Sequence, residues 1–155
     1  LRSLIVNPYL IPALELGPKA VARIVRRINP ARYDAPIDPD RFTIREVVAH
    51  LTDWEPIDRE RLTLAVTSPG ATIQPFDEVQ MALDHGYRDT DIEEMLAVLE
   101  RERKITTEYI GSLSVEQWAG HAYHPERGML SAVDLANLII GHDLYHIEQL
   151  SAYLE

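Results

Sequence analysis

The chain has 155 residues, 46% hydrophobic and 26% charged, which is enough for one domain with a sizeable core and too few for two, so residues 1–155 are read as a single domain. A formal net charge of −10 argues against nucleic-acid and anionic-membrane partners, whose phosphates are met by lysine and arginine. With no cysteine, disulfides, thiolate ligands and a cysteine nucleophile are excluded, and a reducing cytoplasm is the expected location.

In chain order, the opening stretch LRSLIVNPYLIPALELG is too interrupted by Asn7, Pro8, Pro12 and Glu15 to form the apolar region of a leader. No run of ~18 apolar residues follows, so no membrane span is expected. Asn7-Pro8 reads as a helix start, and Pro12 and Gly17-Pro18 read as breaks. The expectation is a short piece followed by a helix over about Pro18 to Ile28, ended by Asn29-Pro30. Pro30, Pro36 and Pro39 make the next stretch a loop.

Thr43-Ile-Arg-Glu46 is a capping box, with Phe42 and Val47 placed as its hydrophobic staple. The helix it starts runs towards Val66 and carries Val47, His50, Trp54, Ile57 and Arg61 on one face. Ser68 to Asp89 is a long connection by the usual median of about 4–6 residues, with room for a short helix near Phe76 to Leu83. A connection of this length beside a site is expected to shape its pocket. Asp91 to Ile110 is another long helix. Ser114-x-x-Gln117 starts a brief turn ending at Trp118, and His121 to Gly128 reads as loop. No stretch shows clear period-two alternation, so no strand is expected.

Ser131-x-x-Asp134 caps the last helix, which runs to Leu154. In it His142 and His146 stand four residues apart, so they project from one face with Cβ atoms roughly 5–6 Å apart. Two imidazoles so placed can ligate one metal ion. A catalytic mononuclear site takes three protein ligands and leaves a position open. His50, on an otherwise apolar helix face, is the chosen third, with His124 as the alternative. Trp54, Arg61 and Gln149 are the candidates for substrate contact, Arg61 with an anionic group in view. Asp143 falls between two apolar directions and needs a partner if buried. A second apolar stripe, Val133, Ile140, Leu144, Ile147 and Leu154, predicts burial on two sides and a homodimer through this helix, the alternative being cover by the N-terminal segment of the same chain. Four main helices make an all-α four-helix bundle. No G-x-S-x-G, Walker A, G-x-G-x-x-G or H-E-x-x-H is present, which leaves metal-assisted chemistry or no chemistry.

Three stretches together resemble a known family. FTIREVVAH (Phe42 to His50) is similar to a W-S-I-R-E-V-L-x-H helix start, with phenylalanine and threonine in place of tryptophan and serine. HPERGMLSAVDL (His124 to Leu135) is similar to an H-P-x-x-G-x-L-T/S loop, and GHDLYHIEQL (Gly141 to Leu150) to H-x-x-x-H-x-x-Q. The family is the DinB-like, YfiT-type superfamily of metal-binding four-helix proteins. The resemblance implies an up-down-down-up bundle, a homodimer, and one divalent transition metal ion (zinc, nickel, iron or manganese) held by His50, His142 and His146. It further implies transfer of a low-molecular-weight thiol cosubstrate to an electrophilic small molecule. The alternatives are a hydrolase using metal-activated water and a non-catalytic, stress-related metal-binding protein.

Overall fold

The computed structural model describes residues 7–154. Its helices are α1 (Leu10–Val25), α2 (Ile44–Thr67), α3 (Glu78–Asp84), α4 (Ile92–Gly111), α5 (Val115–Trp118) and α6 (Ala132–Ser151), with a hairpin of β1 (His121–His124) and β2 (Gly128–Ser131) before α6. The long helices α1, α2, α4 and α6 form the bundle. α2, α5 and α6 each begin in a capping box, at Thr43 with Glu46, Ser114 with Gln117 and Ser131 with Asp134, so two orphan backbone donors are satisfied at each start. The Asp77 and Asp91 side chains cap α3 and α4 in the same way from one side.

Helix directions follow from which residues share a core. One apolar cluster joins Leu10 and Leu14 to the far ends of α2 and α4 (Leu62, Ala65, Ile110) and the start of α6 (Leu135). The other joins Val21 and Val25 to the starts of α2 and α4 (Ile44, Val47, Ile92, Leu96) and the end of α6 (Leu150). α1 and α6 therefore run one way and α2 and α4 the other, an up-down-down-up bundle. Each helix packs against two neighbours, in the cyclic order α1, α4, α2, α6.

Two local expectations are corrected. α1 is one continuous helix from Leu10 to Val25 and passes through Gly17 and Pro18, rather than breaking there. Pro12 sits in the first turn, where a missing N–H costs nothing. Pro18 deprives the Leu14 carbonyl of its helical donor, and the Arg103 guanidinium supplies one from α4, Nη1 donating to that oxygen at 3.0 Å. The stretch after Trp118 is a hairpin rather than a loop. Strands of four residues are too short to display a pattern, although Ala122 and His124 are buried while Tyr123 between them is exposed. The backbone at 70–73 lies along β1, with Ile73 donating to the Tyr123 carbonyl at 2.7 Å and Tyr123 to that of Ala71 at 2.9 Å. The hairpin is thereby tied to the long connection after α2. The second stripe of α6 is not buried on both sides within one chain, since Leu144 is 64% exposed.

Candidate metal centre and its cavity

Two helices, α2 with His50 and α6 with His142 and His146, bring the three histidines together, with one candidate ligand nitrogen from each within 4.8 Å of the others. His50 Nε2 stands 2.8 Å from His142 Nε2, and His142 Nε2 stands 3.1 Å from His146 Nε2. The i, i+4 spacing on α6 makes one contact, and the antiparallel packing of α2 on α6 makes the other. Burial, then the neighbouring imidazoles, push His50 down to about 2. Burial likewise holds His142 and His146 at about 4, so all three rings are neutral at neutral pH.

Gln149 defines the tautomer of His146. Its Nε2 donates to the Phe42 carbonyl at 3.0 Å, and its Oε1 accepts from Arg41 at 3.1 Å. The same Oε1 lies 2.9 Å from His146 Nδ1, which must therefore donate and leave the Nε2 lone pair aimed at the other two rings. Gln149 thus reaches a histidine and not the cavity. Three neutral imidazole nitrogens converging on one point suit a divalent transition metal. The buried His50 Nδ1 has no partner among the described residues.

Behind the histidines lies a buried ionic layer between the two apolar clusters. Arg103 uses all five of its N–H donors: Nε and Nη2 on Glu55 at 2.7 and 2.8 Å, Nη1 and Nη2 on Asp143 at 2.6 and 2.9 Å, and Nη1 on the Leu14 carbonyl. Burial alone would lower Arg103, but the paired carboxylates of Asp143 and Glu55 hold it above its ordinary value. Asp143 has the partner its position demanded, and it ties the backbone beside His142 to α4. Gly17 makes room for this: a Cβ there would collide with the Asp143 carboxylate.

In front of His142 opens a cavity of about 540 Å³. Trp54, Asp58 and Arg61 from α2, His124 and Arg127 from the hairpin, and Tyr145 from α6 are among its walls. Trp54 is buried, edge-on to His142 at 6.5 Å and to Phe76 at 6.3 Å between ring centroids. Arg61 lies over the Trp54 ring at 5.0 Å. The connection from Ser68 to Asp89 meets this cavity through Glu78 on its wall, and its Phe76 lies edge-on against Trp54. His124 stands on the cavity wall, outside the three-histidine cluster. His85 pairs instead with Asp53 at 2.6 Å.

Asp58 was not among the residues singled out from sequence. It is half-buried on the cavity wall, and burial, reinforced by the like charge of Glu55, pushes its carboxyl up to about 7. Its place on the stripe of His50, Trp54 and Arg61, at positions i, i+4, i+8 and i+11, was the available signal.

A family model of the DinB superfamily matches residues 13–150. A protein of Oceanobacillus iheyensis named a "putative metal-dependent hydrolase" is 26% identical over 152 residues, covering 98% of this chain and 87% of that one. YfiT of Bacillus subtilis, which carries the same description, is 25% identical over 142 residues, covering 91% and 80%. The solved structure of YfiT, described as having an unusual four-helix bundle topology, superposes with a TM-score of 0.89 at 24% identity over 99% of this chain and 90% of that one. A mycothiol-dependent maleylpyruvate isomerase shares the fold at a TM-score of 0.72 and 12% identity, over 91% of this chain and 59% of its own.

Proposed function

Because this chain belongs to the DinB superfamily, we propose that it is a metal-dependent enzyme that transfers a low-molecular-weight thiol to an electrophilic small molecule. The observation that carries this is the cavity of about 540 Å³ opening directly onto His142, which gives a substrate space beside the three histidines. His50, His142 and His146 would hold one divalent ion, and that ion would supply Lewis acidity at an open position, lowering the pKa of a thiol there. With no cysteine of its own, the chain would take its sulfur from a cosubstrate.

The remaining groups position and protect. Gln149 holds the His146 ring with its lone pair inward, and the Arg103–Asp143 pair fixes the α6 backbone next to His142. Trp54, with Phe76 edge-on against it, gives the cavity an apolar wall that limits water. Asp58, titrating near neutrality, can take up or return a proton on the substrate side of the cavity. The relatives described as metal-dependent hydrolases favour a second reading, attack by water activated in the same place. Low-molecular-weight thiols stay reduced in the cytoplasm, which is where the first reading places the protein.

The test has two parts. Protein purified without a histidine tag should carry about one divalent ion per chain, lost in His50→Ala, His142→Ala and His146→Ala and kept in His85→Ala. Metal-loaded protein should consume a chromogenic electrophile only when a small thiol is added. Turnover of activated esters with no thiol present would instead select the hydrolase, and a His50→Ala variant with full metal content would remove His50 from the ligand set.

A further inference from the structure

The cavity's other end has a chemistry of its own. The chain carries 25 acidic against 15 basic residues, so an arginine that lines a cavity without a carboxylate partner is available to an outside anion. Arg26, Arg45, Arg59 and Arg103 each hold one at 2.9 Å or less. Arg61 and Arg127 line the cavity and pair with none among the described residues. Arg61 donates through Nη2 to the Gln74 carbonyl at 3.1 Å, while its Nε is buried without an acceptor among the described residues. Stacking on Trp54 at 5.0 Å and Phe76 at 6.0 Å holds the guanidinium in place before any ligand arrives.

His124 adds a third donor. It is only 3% exposed, and its Nδ1 accepts from the Glu126 backbone N–H at 3.1 Å. The proton of the neutral ring therefore sits on Nε2, which has no partner among the described residues, and the ring lines the cavity. Burial, then Arg127 and Arg61, lower the His124 pKa, which places the two arginines in its immediate field. Three acids share the walls. Asp134 is committed to the Ser131 cap at 2.8 Å, Asp58 is protonated in part at neutral pH, and Glu78 stands in the first turn of α3. On α6 the cavity extends from Asp134 to Tyr145, about 16 Å at 1.5 Å per residue, with His142 as the member of the three-histidine cluster on its wall.

We propose that the hairpin end of the cavity is an oxyanion subsite, in which Arg61, Arg127 and the His124 Nε2–H hold a carboxylate or phosphate of the substrate. Its use in catalysis rests on the metal-assisted reading above, with the reacting atom near His142 and the anion held by the hairpin side of the same cavity. The subsite itself does not depend on metal, so the two fail separately.

Metal-stripped protein is titrated calorimetrically at low ionic strength with inorganic phosphate and, separately, with succinate. Wild type should bind one of them saturably, and the tighter of the two assigns the anion class. Arg127→Gln, on the exposed hairpin turn, and Arg61→Gln should each weaken that binding at least tenfold, while His142→Ala leaves it within twofold. Because Arg61 packs on two aromatic rings, its variant is read only if its helical circular dichroism matches wild type; Arg127→Gln decides alone otherwise. Absence of saturable binding in wild type, equal affinity in Arg127→Gln, or loss of binding in His142→Ala overturns the subsite. Loss of metal binding in the tests of the preceding section leaves it standing.

Discussion

At the scale of single residues, the three histidines tie stability to pH. Burial disfavours a cation on each ring, with neighbouring imidazoles adding to this at His50 and His146 and the Arg103 and Arg127 charges at His142, so His50 is held down at about 2 and the other two at about 4. In the unfolded chain each returns to about 6.5. As pH falls from about 6.5 towards 4, the unfolded state gains protons that the folded state refuses. The stability of metal-free protein is therefore fully present above 6.5 and lost through that window. Urea midpoints measured at pH 7.5, 6 and 5 should fall steeply for metal-free wild type. They should fall less for His50→Leu, which removes the most depressed of the three groups. Parallel profiles for the two proteins would show that the cluster does not govern the acid limb.

At the scale of elements, α1 owes its continuity to another helix. Gly17 and Pro18 would ordinarily end it, since one lacks a side chain and the other a backbone donor. Both defects are used by the same buried layer: the freed Leu14 carbonyl accepts from Arg103, and the bare Cα of Gly17 admits the Asp143 carboxylate. Gly17→Ala, which on an exposed helix would be stabilising, should here destabilise by about 1–3 kcal/mol, because the atom it strikes is a carboxylate held by two bonds to a guanidinium and cannot swing away. Thermal unfolding of metal-free protein reads this directly. An unchanged or raised midpoint would mean that the layer yields more easily than its bidentate geometry implies.

At the scale of the whole molecule, the chain leaves apolar side chains of α6 and β2 exposed. Leu144 is 64% exposed, Tyr145 58% and Met129 57%, and Leu138, on the cavity wall, 41%. We propose that a second copy covers α6 here, which would bury the stripe that one bundle leaves open. Sedimentation at micromolar concentration should then show a dimer for wild type and a monomer for Leu144→Glu, since a carboxylate at the centre of an apolar contact has no partner. A monomeric wild type would rule the dimer out.

What the sequence determined is what lies within about one helical turn. The capping boxes at Thr43, Ser114 and Ser131 are four-residue motifs whose bonds close locally, and each starts the helix it announces. The pairing of His142 with His146 is likewise a matter of four residues, and the need of Asp143 for a partner follows from the apolar stripes on either side of it. The partner itself does not: Arg103 is 40 residues from Asp143, 48 from Glu55 and 89 from Leu14, and no local pattern encodes such bonds. The same holds for the unbroken α1, for a hairpin stabilised against the backbone at 70–73, and for the near-neutral carboxyl of Asp58. In each, a local signal is outweighed by a contact that exists only after distant segments have packed. Helix starts were legible because their hydrogen bonds are local; the cavity and its charges depend on burial and long-range fields, which arise only when the bundle closes.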